Sequence, residues 1–285
     1  MSAPARLRVP LLAPFALAGL ASLGLRHREP RPMYGDAQWP SVAHPLGVDA
    51  MGRDFLEVLS AGVVDFAVPG FLMVGLLALI VAARAWWFLL QPVLPTGEEI
   101  PEATGLAAAS PPRLLIVMVG MLLLEEPNPY LAAGIVLALY LPVALHEVGS
   151  HLRALREEEV LAGIVAHGLP THRVLGRHLL RGYLAEPLIR HCSSLFAQVA
   201  FTQIALAFLF GTSSVSRGLA VSWGMEFKRL ANGIPQRSGF YCPGDGVCEQ
   251  AVTSFQGSIL LLASLLLLGG LLRLARPAPR GGLSA

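Results

Sequence analysis

The chain has 285 residues, 54% of them hydrophobic and only 14% charged, and its mean hydropathy is +0.59. Soluble domains carry about 25% charged residues, so this chain has too few to cover a water-facing surface and reads as a polytopic membrane protein. The net charge is only +2 and the basic residues are dispersed, which excludes a nucleic-acid surface.

Residues 9–25 are apolar and follow Arg6 and Arg8. They form a first membrane helix entering from the cytosol, although the same short run also fits a secretory signal cut near Gly24. Residues 26–61 are polar and hold Pro30, Pro32, Pro40 and Pro45. The apolar run 62–90 exceeds the ~20 residues a span needs. Arg84 lies near its end, and Trp86 and Trp87 suit an interfacial aromatic belt. Residues 91–112 show no period and read as a loop. A third span at 114–124, a turn at 125–129 and a fourth span at 130–145 follow.

In residues 146–190, Arg, Glu and His displace the apolar residues. A short helical pattern at 160–167 is closed by Gly168 and then Pro170, the usual stop signals, and a second pattern covers 174–180. Residues 192–211 make a fifth span, 212–254 a long polar loop and 255–274 a sixth span. Arg276 and Arg280 lie in the tail. The expectation is an all-α fold of about six transmembrane helices with a cytosolic N-terminus. Segment 146–190 then faces the cytosol, carrying Arg153, Arg156, Arg173, Arg177, Arg181 and Arg190, a modest positive-inside bias.

Several patterns invite a chemical reading. The string HEVGSH suggests a zinc hydrolase, but His146 and His151 stand at i and i+5, about 140° apart on a helix, and cannot share one metal. His167, His172 and His178 match no metal spacing and read as solvated. Glu157, Glu158 and Glu159 read as a solvated helix face that suits the helix N-terminus they precede. Asp65, Arg84 and Gln203 sit within or beside apolar runs, where polar groups mark pathway candidates. Cys242 and Cys248 bracket a turn-rich loop on the outer face, where an oxidising compartment favours a disulfide. No nucleophile–base pair, phosphate-binding glycine loop or ligand set emerges, so neither catalysis, cofactor nor metal is expected in this chain.

The most specific string is His44-Pro45-Leu46-Gly47-Val48-Asp49-Ala50-Met51-Gly52-Arg53-Asp54. It resembles the HP-x-G-x-D-x-x-G-R-D signature of the oligopeptide, dipeptide and nickel ABC importer permeases, on His44, Pro45, Gly47, Asp49, Gly52, Arg53 and Asp54. The segment around Gly168 resembles the same family's cytosolic coupling loop, with Ala162, Gly163 and Ile164 at its E-A-A positions and Arg177-His178 at its R-H pair. Ser222-Trp223-Gly224 resembles the family's S-W-G, and Leu268-Gly269 with Leu272-Arg273 its last span. The sequence departs from the pattern at Ala162, where the family has Glu, at His146 and Arg181, where it has Arg and Pro, and at Gln203, where it has Glu.

The resemblance implies a type I ABC importer permease fold. Residues 1–61 would hold the first helix and an extracytoplasmic segment, 62–276 the permease domain and 277–285 a cytosolic tail. It further implies a bacterial plasma membrane, a second permease subunit, two cytosolic ATPases, an extracytoplasmic solute-binding protein, and peptides or a similar small solute as cargo. Leu161, Ala162, Gly163, Ile164, Val165 and Gly168 would form the ATPase-coupling element. The competing readings are a permease-like structural subunit that has lost transport, which Ala162 favours, and an intramembrane hydrolase, which would need an acid–base or metal pair.

Overall fold

A computed structural model of the chain describes residues 37–49, 52–90, 113–122, 128–157, 173–210, 222–231 and 249–275. Long apolar runs leave backbone N–H and C=O groups no partner but one another, and the described residues satisfy them as helices. In chain order these are α1 (Phe55–Leu90), α2 (Arg113–Leu122), α3 (Pro129–Glu157), a π-helical stretch (Val174–Tyr183), α4 (Ala185–Phe210), α5 (Trp223–Ala231) and α6 (Glu249–Ala275). The π stretch ends on the wider hydrogen bond of its class, Leu184 N–H donating to Leu179 O at 2.8 Å.

Among the described residues, four helices are long and apolar enough to cross a membrane: α1, α3, α4 and the Ser254–Leu271 part of α6. Their outward surfaces are as apolar as their inward ones. On α1, Leu72, Leu76 and Leu79 are exposed while Met73, Leu77 and Val81 are buried, and α6 turns Leu261, Leu262, Leu265 and Leu266 outward. Helices apolar all round are at home in lipid. The chain is a multi-helix protein of membrane-spanning dimensions.

The boundaries differ from the sequence expectation in several places, and α4 begins at Ala185 rather than 192 and α6 at Glu249 rather than 255. α1 begins at Phe55 rather than 62, because Asp54 caps it: its Oδ1 accepts from Leu56 N–H at 2.8 Å. α3 does not stop at 145 but continues to Glu157, since 146–157 is rich in Leu, Ala, Arg and Glu, which favour helix, and holds no proline. The described part of the third expected span, α2, has ten residues, about 15 Å of helix, and alone is too short to cross. The loop expected at 212–254 contains α5. The first expected span, 9–25, lies outside the described residues.

Two apolar cores run through the bundle. One gathers the C-terminal half of α1 (Leu77, Val81, Ala85) with Val117 and Met121 of α2, Ala133, Tyr140 and Leu152 of α3, Leu179 of the π stretch, and Leu195 and Val199 of α4. The other gathers the N-terminal half of α1 (Phe55, Val63, Phe66) with Phe196 and Ala200 of α4, Trp223, and Leu260 of α6. α1 and α4 thus form the spine, each burying one surface in either core.

Candidate functional site

The string 44–54 folds into a compact knot at the N-terminal end of α1. Gly47 and Gly52 have φ of 80° and 75°, a left-handed backbone that costs glycine little and other residues much. These two turns bring Val48 between Gln38 and Asp54 as isolated bridges, with Val48 N–H donating to Gln38 O at 3.0 Å. A side chain at Gly47 would also collide with Gln38 O. Asp54 serves two partners: while Oδ1 caps α1, Oδ2 lies 2.8 Å from Nδ1 of His44. Trp39 packs on Phe255 of α6, ring centroids 5.6 Å apart, and ties the knot to a second helix.

At its centre is a buried network of two acids and two bases. Asp49 Oδ1 accepts from the Arg53 backbone N–H at 2.9 Å, and Oδ2 accepts from Arg53 Nε and Nη2 at 2.9 and 2.6 Å. Arg53 Nη2 also donates to Glu226 Oε1 at 2.9 Å, far along the chain in α5. Arg229 completes the set, 2.8 Å from Glu226 Oε2 and 3.5 Å from Asp49 Oδ2. Burial alone would lower the affinity of the Arg53 guanidinium for its proton, but Glu226 and Asp49 outweigh it and hold the group above its ordinary value. Each ionised group stands beside an opposite charge, which is what makes burial tolerable. The arrangement fastens elements together.

The 222–224 string completes the fastening. Ser222 Oγ caps α5 by accepting from Met225 N–H at 3.2 Å. The indole N–H of Trp223 donates to Leu59 O of α1 at 3.0 Å, and its ring meets Phe66 edge-on at 5.2 Å. Gly62 leaves room for that indole. A Cβ at Gly224 would strike Ile204 O, Phe208 N and the Ala207 methyl, so α5 lies on the backbone of α4 at glycine distance. All seven signature residues lie in or next to this knot. Their partners Glu226 and Arg229 were not singled out in the sequence, because a charge two residues past a glycine on a nine-residue helix has no spacing that distinguishes it.

Polar groups also lie between the long helices. Gln203 of α4 donates from Nε2 to Pro129 O at 2.6 Å, tying the end of α4 to the start of α3. Asp65 is buried in α1, whereas Arg84 is part-exposed. Gln256 of α6 is wholly buried, and neither its oxygen nor its nitrogen has a hydrogen-bond partner. Nearer the far end of α3 a second charged cluster forms from Tyr140, Glu147 and His151 of α3 with Arg190 and His191 of α4. The HEVGSH string contributes Glu147 and His151 to it, and His151 Nε2 lies 4.0 Å from Glu147 Oε1.

Leu161, Ala162, Gly163, Ile164, Val165 and Gly168 lie outside the described residues, as do Cys242 and Cys248. No family model matches the chain, and neither does any curated protein.

Proposed function

We propose that this chain is a permease subunit of an ATP-binding-cassette importer, forming half of a transmembrane pathway for peptides or a similar small solute. One observation carries the reading. Two strings singled out by resemblance, 44–54 and 222–224, lie about 170 residues apart in sequence yet side by side in the fold: Arg53 of the first donates to Glu226, two residues past the second, and Trp223 of the second donates to Leu59, five residues past the first. Strings that matched by chance would have no reason to be brought to one place. The capped α1 and the glycine-close packing of α5 on α4 give those residue types a physical purpose.

In this reading the membrane is a bacterial plasma membrane, the N-terminus and segment 146–190 face the cytosol, and the knot faces outward near a solute-binding protein. A second permease subunit supplies the other half of the path. Two cytosolic ATPases seat the helix at 160–168, with Leu161, Ile164, Val165 and Gly168 on one side at helical spacing. ATP-driven closure moves that helix as a lever, and the spans it joins exchange inward- and outward-open forms.

The test is Ile164→Asp beside Gly168→Val, with Glu158→Gln as control. A charge placed in a docked, water-poor contact is strongly unfavourable, and valine blocks a left-handed helix stop. The first two variants should insert normally yet lose co-purifying ATPase and substrate-stimulated ATP hydrolysis, while the control keeps both. Normal ATPase retention and transport by Ile164→Asp would sink the proposal. Ala162, standing where the family has Glu, favours a second reading as a structural subunit. That reading expects the ATPases to be retained while hydrolysis ignores all three changes.

A further inference from the structure

Helices α3 and α4 are joined toward the C-terminal end of α3 and the N-terminal end of α4 by groups that apolar packing does not need. Tyr140 Oη lies 2.9 Å from His191 Nδ1, with the two rings edge to face at 5.7 Å. Glu147 pairs with Arg190, and its other oxygen stands 3.1 Å from His191 Nε2. His151 flanks the same carboxylate. These five are the titratable side chains that the two helices bring to the contact.

Two features separate this cluster from a permanent bond. First, it is part-exposed: Glu147 is 34% exposed and Arg190 23%, and with segment 146–190 on the cytosolic side, as proposed above, each ion can recover water if the pair parts. Second, it is incompletely satisfied. His191 Nε2 is buried and near Glu147 Oε2, but off the line a hydrogen bond requires, and it has no other partner. A buried ring nitrogen without a hydrogen-bond partner raises the energy of the closed arrangement, and hydration of the two ions lowers that of an open one. Both effects weaken this contact relative to a sealed, fully satisfied one, which is the direction a bistable element requires.

We infer that Glu147–Arg190, with His191 and Tyr140 behind it, is a releasable latch between α3 and α4. The segment linking these helices leaves from the end of α3 and returns through the π stretch into α4. Parting the latch lets the C-terminal end of α3 move away from the N-terminal end of α4, whereas the opposite ends of the helices stay tied through Gln203 and Pro129 O. The motion is a hinge about that tie. The inference stands on the cluster's geometry and takes from the proposed topology only that this end of the two helices faces water.

Paired spin labels test it in the full-length protein in lipid nanodiscs, with Cys192, Cys242 and Cys248 changed to Ala. One pair, Ala154→Cys with Ile189→Cys, uses exposed positions at the latch end. The other, Leu131→Cys with Leu209→Cys, uses exposed positions at the tied end. With Glu147→Gln, the longer-distance share at the latch end should rise at least twofold, and the distribution at the tied end should not change. Tyr140→Phe should give a smaller rise, and the exchange Glu147→Arg with Arg190→Glu should return the parental distribution. An unchanged latch-end distribution in Glu147→Gln overturns the inference. So does broadening at both ends, which marks general loosening, or failure of the exchange to restore the closed form.

Discussion

Asp49 and Arg53 pair with side chains 0% and 10% exposed, whereas Glu147 and Arg190 pair at 34% and 23%. The first pair belongs to a network in which Glu226 and Arg229 balance the remaining charge, two acids against two bases. The second faces a histidine whose buried Nε2 lacks a hydrogen-bond partner. The first network reaches α5 through Glu226 and the second pair joins α3 to α4, but burial decides what each can do. A dry, balanced network has no hydrated alternative, so it opens only when the protein unfolds. A half-wet pair between two helices can exchange its partner for water. The lesson is that a charged contact between helices is a clamp or a latch according to its access to solvent, not its partners' chemistry.

The largest expected effect comes from breaking the clamp. Arg53→Ala leaves Asp49 and Glu226 buried against each other with only Arg229 between them. Removing one partner of a buried ionic network costs about 3–5 kcal/mol, and here it should appear as a sharp fall in the thermal midpoint of the detergent-solubilised protein. Survival of the parental midpoint would mean that the knot does not hold the fold. Next in size is Gly224→Leu, which drives a side chain into Ile204 O and Phe208 N and pushes α5 off α4. Overpacking of this kind costs about 1–3 kcal/mol. Quenching of Trp223 by an aqueous agent should increase, since its indole loses the seat against Phe66 and Leu59.

Much of this contrast was legible in the sequence, and unevenly. Apolar runs revealed the long helices, because a span must be both long and apolar. Where a helix begins depends on a single cap, so Phe55–Ala61 looked polar until Asp54 was seen to start α1. The continuation of α3 to Glu157 has only a faint signature, because charge marks the end of an apolar run whereas helix propensity does not stop at a bilayer edge. The knot's glycines and acids were visible as a string, but their partners on α5 depend on a contact across 173 residues. The latch was invisible for the same reason. Glu147 was set aside with a metal motif that it does not serve, and its partners Arg190 and His191 lay in another helix. Long-range pairing of common residue types leaves no local signature.

Gln256 offers a third kind of polar burial, with no partner at all. Gln256→Leu removes a buried amide whose two polar atoms make no hydrogen bond. Such a change relieves desolvation without forfeiting a bond, so the thermal midpoint should rise, by the equivalent of about 1 kcal/mol. A fall would show that the amide is bonded in the membrane, to a water or to another chain.

The smallest effect on stability is expected where the effect on shape is largest. Glu147→Gln removes one charge from a pair whose members can both reach water. Part-exposed ion pairs contribute about 0.2–1 kcal/mol, because solvent screens the attraction and hydration replaces it when the pair parts. The glutamine keeps the size of the side chain and retains an oxygen that can still accept from Arg190. The unfolding midpoint in detergent should therefore move by no more than that small amount, far less than with Arg53→Ala in the same buffer. The two variants measured side by side are the sharpest test of the contrast. If Glu147→Gln destabilises the protein as much as Arg53→Ala does, the α3–α4 pair is a second clamp, and exposure does not divide the two clusters. If the midpoint holds while salt at about 0.5 M further reduces the small difference, the pair is of the screened kind that a latch requires.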